Sequence, residues 1–167
     1  MPEIYTAQWY EALREFLNRN SDIERNAPRG RYHVLATITG DSHSPYLMLG
    51  DVRHFEVMFV DGKCLEYRQV ATPPARRECD FIFELPASVF EGVAAGLIDL
   101  VDPGLKGLIK ITGDMRILIK HAELVNALYD VYAREVETLW PRGKPASAGE
   151  LGALICRFDG APKALRR

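Results

Sequence analysis

Apolar residues that recur every three or four positions predict two long amphipathic helices in this chain. The first covers residues 5–18, where Trp9 and Leu13 share the apolar face. The second covers residues 115–139 and carries a broader apolar stripe. Trp140-Pro141 is expected to end it, because the residue before a proline disfavours the helical conformation. Each helix therefore has a face that must pack against something else.

Proline, glycine and aspartate mark further helix boundaries. A short helix is predicted over residues 87–95, because Pro86 suits a first helical position and Gly96 suits the position after the last turn. Gly113-Asp114 separates a strand from the second long helix, and the Asp114 carboxylate can accept a bond from an unpaired N–H of the first turn. We therefore expect Asp114 to be an N-cap.

Alternating or β-branched apolar runs predict the strands of one sheet. Asp61-Gly62 is the strongest hairpin signal, because a type I′ turn needs positive φ at both central residues. Residues 46–49 form a short apolar run that could begin the second strand. The predicted strands are Arg31–Thr39, residues 55–60, Lys63–Val70, residues 79–85 and residues 108–112.

The order of these elements predicts an α+β fold. Strands joined by hairpins should form an antiparallel sheet, and the helices should gather on one of its faces. Residues 18–30 and 71–77 are polar or rich in proline and are expected to be loops. Residues 141–167 are rich in proline, glycine and alanine with basic ends, and we expect a loosely held tail.

Composition excludes several classes of protein. The 167 residues fit one domain, and a formal charge of −2 argues against a nucleic-acid binder, which would carry a basic surplus. Cys64, Cys79 and Cys156 are odd in number and widely spaced, which fits neither a disulfide framework nor a zinc site. The N-terminus lacks the apolar core of a signal peptide, and no apolar run is long enough to span a membrane. A cytoplasmic protein is the expectation.

Residues 79–132 resemble the sterol carrier protein 2 (SCP-2) domain family. The matching features are the strand CDFIFEL, the short helix from Pro86 to Gly96, Asp102-Pro103, and GLIKITGD at residues 107–114 running into a helix at Met115. The resemblance extends more loosely to the upstream helix and strands, and it assigns residues 1–140 to one domain. The C-terminus, Leu165-Arg166-Arg167, is no peroxisomal address, so a stand-alone bacterial member is the more natural reading.

The resemblance implies about five strands in a mainly antiparallel sheet with helices on one face. It also implies an apolar tunnel between sheet and helices that holds a fatty acyl chain, an acyl-CoA, a sterol-like lipid or an isoprenoid lipid. The protein would then bind or transfer this ligand without catalysis and without a cofactor or metal. Family members also serve as accessories in bacterial quinone synthesis.

An interrupted apolar segment after Gly96 is the proposed tunnel wall, because a broken segment packs poorly and leaves space. The alternative is that its side chains simply fill the core. Solid packing under this segment, or parallel pairing at the centre of the sheet, would argue against the tunnel. The candidate lining residues are Phe81, Phe83, Phe90, Val93, Leu97, Ile98, Leu100, Val101, Leu105, Leu108, Met115 and Leu118.

Three other functional readings follow from the residues. The breadth of the second long helix could serve a protein partner or a homodimer instead of a ligand. Ser42, Asp51 and His54 could be assembled into a lipid-ester hydrolase, although no Gly-x-Ser-x-Gly elbow is present. The basic tail could rest on an anionic membrane, where each cation contributes about 1 kcal/mol.

Overall fold

The computed structural model describes residues 1–98 and 107–145. These residues form one five-stranded sheet with helices against it. The strands are β1 (Arg31–Thr39), β2 (Val52–Val60), β3 (Lys63–Val70), β4 (Phe81–Pro86) and β5 (Lys110–Gly113). The helices are α1 (Ala7–Arg19), α2 (Ser21–Asn26), α3 (Ala87–Ala94), α4 (Met115–Lys120) and α5 (Ala122–Asp130), with a 3₁₀ turn at Arg76–Glu78 and a π-helical turn at Val131–Glu135.

The sheet has the order β3-β2-β1-β4-β5 and is mostly antiparallel, with one parallel pair at its centre. β1 and β4 run in the same direction, with Val34 opposite Phe81 and Ile38 opposite Leu85. The expected five-stranded, mainly antiparallel sheet is therefore confirmed, and only the parallel pair departs from what the hairpins predict. The connection through residues 71–80 brings β4 past β2 to the free side of β1, which a reading of hairpins alone could not reveal.

Parallel pairing at the centre of the sheet was also expected to argue against an apolar tunnel. That expectation was wrong, because strand direction fixes the slant of the hydrogen bonds between strands and not which side chains cover the two faces of the sheet. Side chains alternate between the two faces in parallel and antiparallel strands alike. The parallel pair therefore does not decide whether a ligand site exists.

The β2–β3 hairpin confirms the prediction at Asp61-Gly62. Both residues have positive φ, 48° for Asp61 and 82° for Gly62. Gly62 is also constrained by α2, because a Cβ at this position would come within 2.9 Å of Glu24 Cα. The turn chemistry and a tertiary contact thus require the same glycine.

Two segments differ from their predicted structure. Residues 18–30 contain α2, whose first N–H groups are capped by the side-chain oxygen of Asn20 and whose Ile23 is fully buried. An asparagine before a helical turn is a known cap, and that signal was present in the sequence. Residues 46–49 form no strand and belong to the loop between β1 and β2, where Leu47 O accepts from Asp41 N over 3.2 Å.

The second long helix is also shorter and less regular than predicted. It breaks at His121, which leaves the helical conformation with φ −108° and ψ 43°, and whose Nδ1 lies 2.8 Å from the Asn26 carbonyl. It ends at Glu135 rather than at Trp140, because residues 136–140 extend beside the N-terminus. There Leu139 N donates to Pro2 O, and Ile4 N donates to Leu139 O.

An aromatic cluster joins the helices to one face of the sheet. Phe90 of α3 stands at its centre, with ring centroids 5.2 Å from Phe55, 5.9 Å from Trp9 and 5.9 Å from Tyr5. The Trp9 indole N–H donates to Thr138 Oγ1 over 2.9 Å, so the polar atom of this buried ring is satisfied. The cluster continues through Tyr10, Tyr67 and Tyr132.

A buried polar network holds the loop between β1 and β2 against α3. Glu91 is fully buried, and its carboxylate accepts from Tyr5 Oη at 2.7 Å and from Ser44 Oγ at 2.7 Å. Ser44 Oγ in turn accepts from the backbone N–H groups of Tyr46 and Leu47. Burial, more than the repulsion from Asp41, raises the pKa of Glu91 to about 7.

Gly40 tests the packing of this loop. A Cβ at Gly40 would lie 1.9 Å from the Met48 carbonyl oxygen, a backbone atom that cannot rotate away. Gly40→Ala should therefore lower the free energy of unfolding by at least about 2 kcal/mol in urea denaturation. Gly50→Ala is the control in the same loop, because a Cβ at Gly50 would meet no atom within 4 Å. Its only cost is the positive φ of 93°, which alanine disfavours. An equal loss in both variants would show that strain at the turn, and not the close approach, limits this loop.

Glu91 should make stability depend on pH. Its folded pKa of about 7 exceeds the ordinary value of 4.5, so the native state binds the extra proton. Protonation of Glu91 stabilises the folded state by on the order of 3 kcal/mol. This stabilisation is complete below about pH 4.5 and is lost as the pH rises through 7. Urea denaturation at several pH values should show this fall in the wild type and a flatter curve in Glu91→Gln. The exposed Glu123→Gln is the control, and parallel curves for wild type and Glu91→Gln would contradict the assignment.

Candidate functional site

The candidate lining residues that the structure describes fall into more than one packing cluster. Val93, Ile98 and Leu108 belong to a small cluster with Val89, apart from the main core. Phe90 lies in the main aromatic cluster, where neighbouring rings surround it. Leu97 is half-buried. Leu100, Val101 and Leu105 lie outside the described residues.

The start of the segment after Gly96 is solidly packed. Ile98 is fully buried against α3, and a Cβ at Gly92 would come within 2.2 Å of Ile98 Cδ1. Gly92 therefore leaves the space that Ile98 fills. At this point of the chain the apolar side chains pack into the core, as the alternative to a tunnel expects, and a lining role for Ile98 stays a prediction.

A different set of candidate residues is incompletely covered. Phe83 of β4 is half-buried and pairs in register with the half-buried Ile111 of β5. In the same strand pair, Phe81 lies opposite Gly113 and stacks on Tyr32 with ring centroids 6.3 Å apart, but Phe81 itself is buried. The β4–β5 end of the sheet thus offers apolar side chains that the core does not enclose.

Helices α4 and α5 carry apolar side chains of the same kind. Met115 is 43% exposed and Leu118 is half-buried, so neither is part of the closed core. Ile117 and Val125 are half-buried as well, although the sequence analysis did not select them. Their recurrence in the apolar stripe was the sequence signal that could have identified them. Periodicity, however, does not distinguish a residue that the core covers completely from one that it covers only in part. We call Phe83, Ile111, Ile117, Leu118 and Val125 the half-buried apolar set.

Two open clefts lie elsewhere on the described surface. One of about 310 Å³ lies between the end of β1 and the end of β4, lined by residues that include Asp41, Leu85 and Leu108. The other, of about 560 Å³, lies beside the extended segment after Glu135 and is lined by residues that include Met1, Ala94 and Trp140. Leu108, one of the candidate residues, reaches the first of these clefts.

The polar candidates form no catalytic arrangement among residues 1–98 and 107–145. His54 Nδ1 lies 3.0 Å from Thr37 Oγ1, and Asp51 accepts from Met48 N, so neither hydrogen bond joins these groups to Ser42. Glu91 has a raised pKa but is sealed from solvent, which leaves a substrate no access to its carboxyl. No three His, Cys, Asp or Glu residues in those ranges lie together as metal ligands.

No helix within residues 1–98 and 107–145 is both long enough and apolar enough to cross a bilayer.

Comparison with solved structures identifies the fold. A crystal structure of sterol carrier protein 2 superposes with a TM-score of 0.66 at 20% identity, covering 81% of this chain and 100% of that one. A solution structure from Thermus thermophilus, of a conserved hypothetical protein described as possibly a sterol carrier protein, gives a TM-score of 0.64 at 20% identity, covering 86% and 96%. No protein-family model and no curated protein matches the chain. The chain therefore has the fold of sterol carrier protein 2, as its resemblance to that family implied.

Proposed function

We propose that this protein binds an apolar ligand without catalysing a reaction on it. The observation that carries the proposal is the half-buried apolar set on β4, β5, α4 and α5, in a chain with the sterol carrier protein 2 fold. A fatty acyl chain, an acyl-CoA, a sterol-like lipid or an isoprenoid lipid is the proposed class of ligand. The fold supports lipid binding in general and leaves the particular lipid to experiment.

The energetics favour a long apolar ligand. Each methylene that leaves water gains about 0.8 kcal/mol, so a chain that covered several side chains of the half-buried apolar set would bind with useful affinity. The set combines aromatic and branched aliphatic side chains, which suits a flexible acyl or isoprenoid chain.

The hydrolase alternative has less support. His54 is hydrogen-bonded to Thr37, and the Asp51 carboxylate accepts a backbone N–H, so their polar atoms already have structural partners. A binding protein needs no nucleophile, and we propose that none operates here.

Ligand extraction tests the proposal directly. Freshly purified protein should yield a co-purifying lipid in an organic extract analysed by mass spectrometry, and stripped protein should bind a fluorescent fatty acid. A clean extract together with no binding of fluorescent fatty acids or quinones would contradict the proposal. Light scattering on the same sample would then test the remaining reading, a homodimer built on the α4–α5 surface.

Neighbouring residues of α4 give a matched pair of variants. Leu118 is half-buried and Ile119 is 74% exposed, so Leu118→Gln should weaken binding of the fluorescent fatty acid and Ile119→Gln should not. Loss of the apolar contact should raise the dissociation constant about tenfold, which corresponds to roughly 1.4 kcal/mol.

Thermal unfolding of both variants controls for damage to the fold. Equal affinities for Leu118→Gln and the wild type, with unchanged melting temperatures, would place the ligand away from α4. A loss in Ile119→Gln of the same size would show that the effect is not specific to the half-buried apolar set.

A further inference from the structure

The cleft of about 560 Å³ is lined mainly by small or apolar side chains. It lies between the C-terminal end of α3 and the extended segment that follows Glu135. The apolar lining residues include Met1, Ala94, Ala133, Val136, Leu139 and Trp140. Two of them leave large side chains in water, because Met1 is 74% exposed and Leu139 is 39% exposed. An apolar groove with exposed side chains of this size is a candidate docking surface.

The last described residues of the chain border the same cleft. Lys144 lines it, and Pro145, which follows, is buried. The Tyr46 hydroxyl holds this end of the chain, because it donates to Gly143 O over 2.8 Å and accepts from Arg142 N over 3.1 Å. The remainder of the chain therefore starts from a fixed point beside the cleft.

The sequence that follows carries the start and stop signals of a helix. Ser147 and Glu150 have the spacing of a capping box, in which each side chain accepts a hydrogen bond from the other residue's backbone N–H. Gly160 suits the position after the last turn, and Pro162 cannot continue a helix. These signals predict a helix over residues 148–159, which lie outside the described part of the chain.

The predicted helix is amphipathic. Its apolar residues have the spacing i, i+3, i+4 and i+7 and are Leu151, Leu154, Ile155 and Phe158. The opposite face carries small side chains, among them Ala153 and Cys156. An isolated helix of about 12 residues is marginal in water, so its stability must come mainly from packing the apolar face against a partner.

We propose that the helix of residues 148–159 docks its apolar face into the 560 Å³ cleft of the same molecule. Ser147 follows the buried Pro145 by two positions, so the helix begins within about 7 Å of the fixed end of the chain. A tether this short holds the helix at a local concentration on the order of millimolar, which favours its own molecule over a second copy.

The docked helix covers Met1 and Leu139 and so holds both ends of the domain against α3. This differs from the loose tail that composition predicts for residues 141–167, because capping signals and periodicity specify a helix within a stretch of small residues. The cleft shares no residue with the half-buried apolar set, so the inference does not rest on the proposed ligand.

Trypsin cleavage after Arg157 tests the docking. This site lies within the proposed helix, so its cleavage rate follows the population of the undocked state. The double variant Leu154→Ser/Ile155→Ser should raise the cleavage rate of the full chain about tenfold or more, because it removes apolar contacts with the cleft. Ala153→Ser/Cys156→Ser is the matched control on the opposite face of the helix and should leave the rate unchanged.

A substitution in the cleft tests where the helix docks. Leu139→Ser should also speed cleavage after Arg157, and Leu65→Ser should not, because Leu65 on β3 is 56% exposed and lies outside the cleft. Amide hydrogen exchange gives a second measurement with the cleft unaltered. The Leu154→Ser/Ile155→Ser variant should exchange faster than the wild type at residues 136–140. Circular dichroism spectra and melting temperatures check that each variant is folded.

Three results would overturn the proposal. The first is a wild type that trypsin cleaves after Arg157 as fast as the folded Leu154→Ser/Ile155→Ser variant. The second is exchange at residues 136–140, or cleavage of a folded Leu139→Ser variant, that equals the wild type, because the helix would then dock elsewhere. The third is a cleavage rate that depends on protein concentration, which would make a second copy of the chain the occupant.

Discussion

The contacts of Phe90 are the constraint on which the architecture depends. Its ring meets Phe55 of β2, Trp9 of α1 and Tyr132 of the π-helical turn, so one side chain of α3 connects elements from the beginning, middle and end of the described chain. Aromatic rings contribute a large buried area together with a preferred geometry, which makes such a cluster sensitive to the placement of every element that it joins. A shift of the helices along the sheet would therefore break the ring contacts of this aromatic cluster.

The residue after Phe90 has the opposite chemistry and secures the other side of α3. Glu91 is buried beside the same rings and binds Tyr5 and Ser44, and Ser44 orders the loop that ends in the exposed Met48-Leu49 turn. A buried carboxyl is tolerated here because two hydroxyl groups hydrogen-bond to it and because its raised pKa lets it be protonated, and so uncharged, below about pH 7. The core and this loop are therefore connected through two adjacent residues of α3.

The candidate ligand site shows the limit of reasoning from apolar content. The sequence analysis chose Ile98 and Leu118 for the same reason, yet Ile98 fills the space above Gly92 and Leu118 is only partly covered. Hydrophobicity measures the tendency to leave water and does not say whether protein or ligand will do the covering. Gly92 was a visible hint, because a glycine inside a helix often marks the close approach of another group.

Local chemistry was sufficient wherever a feature depends on neighbours in the chain. β1 and β3 were predicted with the bounds that they have, the Asp61-Gly62 turn has positive φ at both residues, and Asp114 caps α4. Tertiary contacts decided the parallel pairing of β1 with β4, the break at His121 where its ring meets the Asn26 carbonyl, and the end of the last helix at Glu135. These features depend on partners that are distant in sequence, and periodicity carries no information about such partners. The fold could be reached from sequence through its resemblance to a family, whereas the coverage of each apolar side chain required the assembled structure.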